Sequence, residues 1–333
     1  MRVAIAGAAS RIDRQFADGI ERQVREVVRE ALDAAALSLA EVDLVVTVAS
    51  DTLDGMMVPI RAELAGALGK SYLNVPSAAG HAIAAAATAI EAGDAETVLV
   101  VGWGAASKLA GNDGRSNQFD PFFMRPAGAT PKVLAALQRQ VLSASGAISD
   151  GGVAAFEAQM ADVVWPRGAA AGGLRPEFCD GVAAIVLTKA AEEGSGLFVA
   201  DHATASRSHA PLDGSLDPAG WVTEALESLG MRAGAPLETG FVEASGSSAV
   251  AEMRAIAAMS DSGPVRCPPD RANAAGGGAA AWFGPATALR PLAELARRRL
   301  QDKPQDAAGI FVDLAGPLGQ LVTAIVIEQR SAA

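Results

Sequence analysis

The stretch of residues 71–105 constrains the fold of this chain more than any other part of the sequence. Its central portion, residues 77–91, is rich in Ala and Ile and carries almost no charge. A surface helix shows a polar stripe, so this pattern predicts a helix that is buried on every side. The apolar run at 98–101 predicts a buried strand after it. Because the free N–H groups and the dipole of a helix favour negative charge at its N-terminus, the turn at Ser77 is a candidate place for chemistry.

The composition of the chain limits its class and its partners. It has 333 residues, 50% of them hydrophobic and 20% charged, which predicts a globular fold with a large core. The formal net charge of −11 argues against nucleic acid as a partner, because nucleic-acid binding needs a basic footprint. No apolar run is long enough to span a bilayer, and the sequence opens on a short apolar strand rather than a basic leader, so we expect no membrane partner and a cytoplasmic location. The two cysteines and three histidines form no ligand spacing, so no metal site is predicted.

Strand and helix patterns alternate along the chain in two stretches of similar order. The predicted strands are residues 2–8, 44–48, 98–101 and 181–188 in the first stretch, and 197–200, 240–243, 310–314 and 321–328 in the second. The predicted helices are residues 15–36, 59–68 and 77–91, followed later by 218–229, 247–259 and 287–300. This alternation predicts an α/β fold of layered sheets with helices between and outside them.

A segment at about 107–178 interrupts that alternation. It begins with a loop rich in Gly, Asn, Asp, Ser and Pro, and two helices follow at 132–143 and 150–163. We interpret it as an insertion that covers one end of the core. The predicted division is therefore an N-terminal half, residues 1–190, which contains the insertion, and a C-terminal half, residues 191–333.

The residues around the central helix resemble those of the thiolases. Thiolases carry an Asn, a Cys-Ala-Ser-Gly nucleophile turn and a buried Ala-rich helix that ends in Gly-Asp. The corresponding residues of this chain are Asn74, Ser77-Ala78-Ala79-Gly80 and Gly93-Asp94. Asn273-Ala274-Ala275-Gly276-Gly277 resembles the family's Asn-Pro-Ser-Gly-Gly, and residues 313–320 are similar to its last catalytic loop. The resemblance covers nearly the whole chain and implies a thiolase-like five-layer sandwich of two pseudo-repeated βαβαβαββ halves.

One further segment is similar to a particular branch of the family. Val242-Glu243 followed by Glu252-Met253 is similar to the acidic strand and helix of sterol-carrier-protein-type thiolases. This resemblance implies membership of that type.

The departures from the family lie at its catalytic positions. Ser77 stands at the position of the nucleophilic Cys, and Ala315 at that of the second Cys. The catalytic His falls on Trp282 or Phe283, depending on a shift of one residue in the alignment. The polar segment near the acidic strand becomes Ser-Gly-Ser-Ser at 245–248. No group that thiolases use for Claisen chemistry is retained.

Ser77 itself has two interpretations. A helix dipole alone cannot turn a serine hydroxyl into an alkoxide, so a nucleophilic Ser77 needs a base within hydrogen-bond reach. His81, one turn further along the helix, is the candidate base, because helical side chains lean toward the N-terminus. Serine is also a preferred N-cap, and the sequence favours that role for Ser77, with His81 as a core or pocket residue.

Other polar residues are candidates for supporting roles. Asp201, Glu243 and Asp313 could supply acid or base groups. His202 and His209 lie in a polar segment and are interpreted as ordinary loop residues.

The resemblance implies that coenzyme A is met as part of a thioester substrate, with no permanently bound cofactor. The positions that could contact it are Asn74, Gly80, Ser247, Asn273, Gly276, Gly277 and Gly316. Arg125, together with Arg115 and Lys132, could meet the phosphates of coenzyme A, although the sequence favours solvated surface charge. The run of glycines at 276–278 lacks the helix that follows a phosphate loop, so it is predicted to allow close backbone packing.

Two functions compete at this point. In the first, the chain is an acyl-CoA-handling enzyme that either transfers an acyl group through Ser77 or cleaves or forms a carbon–carbon bond without a covalent intermediate. Some thiolase relatives run such retro-aldol chemistry beside an OB-fold subunit. In the second, the chain is a catalytically silent subunit that stabilises an active thiolase or OB-fold partner. Thiolase-like chains pair near the nucleophile turn, so we expect a homodimer or a heterodimer with residues 71–79 near its interface.

Overall fold

A computed structural model describes residues 2–109, 122, 124–165, 178–191, 194–207, 216–230, 237–260, 265–267, 271–301, 307–316 and 318–331. The first part of the chain contains β1 (Arg2–Asp13), α1 (Ile20–Ala34), β2 (Leu44–Val48), α2 (Asp51–Asp54), α3 (Val58–Leu64), β3 (Ser71–Asn74), α4 (Ala79–Ala92), β4 (Thr97–Ala105), α5 (Pro131–Ala144), α6 (Asp150–Val164) and β5 (Asp180–Ala190). The second part contains β6 (Gly196–Ser206), α7 (Ala219–Ser228), β7 (Leu237–Glu238), β8 (Phe241–Gly246), α8 (Ala249–Ser260), β9 (Val265–Arg266), α9 (Leu289–Gln301), β10 (Ala307–Ala315) and β11 (Leu321–Arg330).

Nine of these strands form one mixed sheet in the order β3-β2-β4-β5-β1-β6-β11-β10-β8. The order is mirrored about the contact between β1 and β6: β5 corresponds to β11, β4 to β10 and β2 to β8. The counterpart of β3 is reduced to a single parallel bridge between Val242 and Ala272. The two parts of the chain therefore repeat the same arrangement, which confirms the predicted α/β fold of two pseudo-repeated halves.

The core divides into layers. The largest apolar cluster lies around α4 and α9, which pack between strands of both parts. A second cluster joins α1 and α3 to the other face of the first-part strands, and a third joins α7 and α8 to the second-part strands. The order is thus helices, strands, central helices, strands and helices, as in the predicted five-layer sandwich.

Helix α4 is less completely buried than its sequence predicts. It ends at Gly93, whose left-handed conformation (φ 82°) suits a residue without a Cβ atom. Most of its Ala and Ile side chains lie in the core, but His81 and Ala85 are half-buried and Thr88 is exposed. The prediction of burial on every side was therefore wrong for one narrow stripe. His81 and Thr88, seven residues apart, mark that stripe, but the small residues between them resemble those on the buried faces and hid it.

Several strands extend further than predicted. β1 continues to Asp13 because its polar C-terminal residues pair with β5, and β6 continues to Ser206 because it pairs with β11. As a result His202 lies in β6 and not in a loop, while His209 and Arg115 lie outside the described residues. No helix of the described part is long and apolar enough to cross a membrane.

Candidate active site

The N-terminus of α4 is capped from the other half of the chain. Ala78 is the N-cap residue and supplies no side-chain acceptor. Instead the Gly80 N–H donates to Asp313 Oδ2 at 2.7 Å, and the Ala79 N–H also donates to this carboxyl group. The expectation that Ser77 caps the helix was wrong, because a carboxylate from β10, 233 residues further along the chain, takes that role.

Ser77 and His81 do not form a catalytic pair in this structure. Ser77 is exposed and His81 is half-buried, and no hydrogen bond joins them within the described part of the chain. Burial lowers the pKa of His81, which favours the neutral form of its imidazole, the form that can accept a proton. Ser77 lacks a base in this structure because no hydrogen bond joins it to His81, and not because His81 is charged.

The turn that leads to Ser77 is held by a polar network beneath it. Thr47 Oγ1 donates to Asn74 Oδ1 at 2.8 Å and lies 2.6 Å from the Tyr72 hydroxyl. The Val75 N–H donates to the Thr47 carbonyl at 2.8 Å. Asn74 is thus fixed by neighbours on β2 and β3. Thr47 and Tyr72 were missed by sequence reasoning, because the parallel pairing of β2 with β3 is what brings them together.

The Gly-rich loop after residue 272 is attached to β8. Asn273, at φ 50°, accepts a hydrogen bond from Ala244 N–H at 2.6 Å and donates one to Ala244 O at 3.1 Å. The Glu243 carboxylate accepts from Ala275 N–H at 3.0 Å and from Gly277 N–H at 2.9 Å. The loop is therefore pinned to the strand by one amide and one carboxylate.

A second buried carboxylate and an arginine complete this clamp. Glu252 Oε1 accepts from the N–H groups of Gly246, Gly278 and Ala279 at 2.6–2.9 Å. Arg290, a buried residue of α9, donates hydrogen bonds to the carbonyls of Ala275 and Gly277. The amides that a phosphate loop would offer to a ligand are thus consumed by the protein's own carboxylates.

Burial strongly perturbs these groups. It raises the pKa of Glu243 to about 7 and that of Glu252 to about 8, against the opposing effect of the donated N–H groups. Burial likewise raises the pKa of Asp313 to about 7 and lowers the pKa of Arg290. Glu243 and Asp313 bind different backbone segments, and Asp201 is exposed, so the three candidate acids do not meet.

Trp282 and Phe283, one of which is predicted to stand in place of the thiolase His, are both buried. The Trp282 carbonyl accepts from Cys179 N–H at 3.2 Å, and its ring packs edge-on against Phe178 at 5.7 Å between centroids. Phe283 is fully buried, and a Cβ atom built on Gly181 would lie 2.3 Å from its ring. Neither side chain can transfer a proton.

The loop after β10 is a tight turn. Ala315 is half-buried and pairs with Leu321, and Gly316 has φ 87°. Gln320 closes the turn by accepting from Leu318 N–H at 2.9 Å. Of the remaining predicted contact residues, Ser247 is half-buried in the turn after β8, and Arg125 and Lys132 are on exposed positions.

The helices α5 and α6 cover these loops. Gln138 of α5, which sequence reasoning missed, donates to the Leu318 carbonyl at 3.2 Å. Trp165, just after α6, donates from Nε1 to the Ala280 carbonyl at 2.8 Å, and Val164 lies against Gly276 (φ 90°). The head of α4, the Gly-rich loop and the loop after β10 therefore gather near the carboxyl ends of the neighbouring parallel strands β8 and β10. No group of three or more metal-ligating side chains occurs among the described residues.

Comparison with known proteins is informative for the fold. No protein-family model matches the sequence, and no curated protein matches it. Among solved structures, the chain is similar to the crystal structure of Acat5 thiolase from Ascaris suum in complex with coenzyme A, with a TM-score of 0.70 and 16% sequence identity. The match covers 99% of this chain and 100% of that one. The chain therefore has a thiolase-like fold over nearly its whole length.

Proposed function

We propose that this chain binds an acyl-CoA thioester at the head of α4 and handles it without forming an acyl ester on Ser77. The observation that carries the proposal is the meeting of the head of α4 with the loop after β10 and the Gly-rich loop, in a fold that, in Acat5 thiolase, was solved in complex with coenzyme A. Gln138 of α5 and Trp165 after α6 each bind one of the two loops. The lack of a base beside Ser77 disfavours acyl transfer through its hydroxyl, whereas carbon–carbon bond cleavage or formation needs no nucleophile at that position. The sterol-carrier-protein type stays a prediction from the sequence.

A direct test is calorimetric titration of the pure protein with coenzyme A and acetyl-CoA. The matched variants are Ser77→Trp, which fills space at the head of α4, and Ala92→Trp, which alters an exposed residue at the other end of the same helix. We expect binding to the wild type and to Ala92→Trp, and loss of binding in Ser77→Trp. An absence of heat change at millimolar ligand would refute acyl-CoA binding.

The reaction type can be tested in the same preparations. A 3-hydroxyacyl-CoA that undergoes retro-aldol cleavage breaks its Cα–Cβ bond and yields a carbonyl compound and a shorter acyl-CoA. Mass spectrometry of both products would identify this chemistry. Binding without any consumption of thioester would favour the second candidate function, a catalytically silent subunit.

That second function is supported by the residues that we predict at the catalytic positions of the thiolases. Ala315 cannot act chemically, and Trp282 and Phe283 are buried and carry no acid or base. A silent chain would pair with an active thiolase or an OB-fold subunit. Recovery of thioester turnover on addition of such a partner, and not with the chain alone, would distinguish this function from the first.

We also propose that two chains pair through the edge of the sheet at β3. The outward edge of β3 has no strand beside it among the described residues. Exposed apolar side chains lie on β3 and on the segment that precedes it in the chain: Leu73 (41% exposed) on β3, and Met57 (68%), Val58, Ile60 and Leu68 (69%) before it. Open edge strands flanked by apolar surface are prone to pair with another chain.

A second copy of this chain is the occupant we propose, and sedimentation velocity at micromolar concentration tests it. Leu73→Lys places a charge on the β3 edge, and Leu300→Lys changes a leucine of similar exposure (39%) on α9. We expect a dimer for the wild type and Leu300→Lys, and a monomer for Leu73→Lys. A monomeric wild type would exclude the homodimer and direct the search to a heterologous partner.

A further inference from the structure

The carboxylate of Asp313 lies where it alters the electrostatics of the central helix. β10 places Asp313 opposite Thr323 of β11 and beside Ser245 of β8. A Cβ atom built on Gly80 would lie 2.7 Å from Thr323 Cβ and 2.9 Å from Asp313 Cβ. Only a glycine at position 80 lets the β10–β11 pair approach the helix closely enough for the carboxylate to reach its N-terminus.

Asp313 accepts hydrogen bonds from part of the free N–H groups at the N-terminus of α4. The first four N–H groups of an α-helix have no partner within the helix, and they carry its partial positive charge. Asp313 accepts from two of them, those of Ala79 and Gly80. The end of α4 that would stabilise a developing anion is therefore already facing one.

Within the described part of the chain, no cationic side chain forms a hydrogen bond or an ion pair with Asp313. Its partners in the sheet register are Thr323 and Ser245, which carry hydroxyl groups. His81 lies in the first turn of α4, and burial lowers the pKa of its imidazole. The Thr323 hydroxyl is buried without a hydrogen-bond partner in the described structure. Asp313 is 4% exposed, and burial raises its pKa to about 7, so the helix amides are its counter-charge when it ionises near neutral pH.

We propose that Asp313 is a built-in counter-anion that cancels the activating effect of α4 on the residue at position 77. It is a positioning residue, since it acts through the helix and not on a substrate. The inference concerns the same turn as the proposed function but does not depend on acyl-CoA chemistry. It accounts for the absence of a nucleophile there, because neither a thiol nor a hydroxyl beside an occupied helix terminus would have its pKa lowered.

The expected size of the effect follows from distance. Ser77 precedes Gly80 by three residues, so their Cα atoms are at most about 11 Å apart. The Asp313 carboxylate binds the Gly80 N–H, so we take about 10 Å as its distance from a thiol at position 77. At that distance and an effective dielectric constant of about 20, one charge shifts the pKa of a thiol by about one unit. Removing the charge should therefore change the thiolate fraction of a cysteine at position 77 by about tenfold between about pH 7, above which Asp313 is ionised, and the pKa of the thiol.

The experiment uses Ser77→Cys as a reporter in the full chain. The rate of alkylation by iodoacetamide is measured from pH 5 to 10, with the protein mass identifying the modified residue and with the wild type as the blank for the two native cysteines. In Ser77→Cys we expect a midpoint at or above about 8.5, the value of an ordinary thiol. In Ser77→Cys with Asp313→Asn we expect the midpoint to fall by about one unit. The matched control is Ser77→Cys with Glu328→Gln, which removes an acid from β11 without touching α4 and should leave the midpoint unchanged.

Two results would overturn the inference. One is an unchanged pH–rate profile when Asp313→Asn is added to Ser77→Cys, in a protein whose circular dichroism and melting are otherwise normal. The other needs no second substitution: a midpoint below about 7.5 in Ser77→Cys alone would mean that the helix activates position 77 in spite of Asp313. Because no coenzyme A is used, failure of this test leaves the acyl-CoA proposal standing, and failure of the calorimetric titration leaves this one standing.

Discussion

Replacing Gly80 by Ala probes the closest contact between the two halves of the fold. In an isolated helix this change would stabilise by up to about 1 kcal/mol, because Ala is the better helix former. Here the added Cβ meets Thr323 Cβ at 2.7 Å and Asp313 Cβ at 2.9 Å. Both are atoms next to the backbone of paired strands and cannot rotate away, so the strands or the helix must shift. Overpacking of this kind costs about 1–3 kcal/mol.

We therefore expect Gly80→Ala to lower the free energy of unfolding by about 1–2 kcal/mol. An unfolding entropy of about 2.1 cal/mol/K per residue, summed over a chain of this length, converts that into a fall in Tm of about 2 °C. Scanning calorimetry at fixed pH and protein concentration, with urea unfolding as a second measure, would detect it.

Gly220→Ala is the matched control for this substitution. Gly220 is the second residue of α7, as Gly80 is of α4, and nothing lies within 4 Å of a Cβ built on it. We expect this control to be neutral or slightly stabilising. The reasoning is refuted if Gly80→Ala is as stable as the wild type while Gly220→Ala behaves as described.

Three further outcomes are expected. Ser77→Ala should change the free energy of unfolding by less than about 0.5 kcal/mol, because the Ser77 side chain is exposed and does not cap α4. Urea unfolding measures this change. A loss of about 0.5–2 kcal/mol, the range typical of a true N-cap, would contradict the prediction. The chain alone should show no measurable acetoacetyl-CoA cleavage in a spectrophotometric assay, because a missing general acid or base reduces the rate about 10²–10⁴-fold; robust turnover would contradict the prediction that Trp282 or Phe283 and Ala315 replace the catalytic His and Cys. Stability should fall as pH rises from about 4 to 8, because the folded pKa values of Glu243, Glu252 and Asp313 are raised, so the folded state retains protons that the unfolded state has lost. In Glu252→Gln the fall between about pH 7 and 8 should be shallower than in the wild type, and parallel pH profiles of urea unfolding would exclude Glu252 as its source.

The regular elements were predictable where local signals define them. β2 runs from Leu44 to Val48, as its apolar run between polar and turn residues indicated. β1 was predicted too short, since its last residues, Arg11 and Asp13 among them, are polar and join the sheet only because β5 lies beside them. Periodicity reports which residues are apolar, whereas the length of a strand also depends on its partner.

The site was less predictable for the same reason. A local rule assigned the N-cap of α4 to Ser77, but the acceptor is Asp313, which the sequence places in a different half of the chain. The glycine run at 276–278 was correctly interpreted as permitting close packing, yet nothing in the sequence indicated that Glu252 and Arg290 are what it packs against. Hydrogen bonds between buried polar groups depend on tertiary contacts, and no periodic pattern in the sequence indicates which residues will meet.

The unequal ends of the nine-stranded sheet bear on how large an assembly of this chain can grow. At one end β3 presents a row of N–H and C=O groups that no other strand of the described chain shares. At the other, the backbone of β8 is covered by the Val242–Ala272 bridge and by the Asn273 side chain, which satisfies both the N–H and the C=O of Ala244. A sheet that can be extended from only one end cannot polymerise head to tail. Edge-to-edge association through β3 would join two copies across a two-fold axis and then stop, because the Asn273 side chain already binds the backbone groups of Ala244 at the other end.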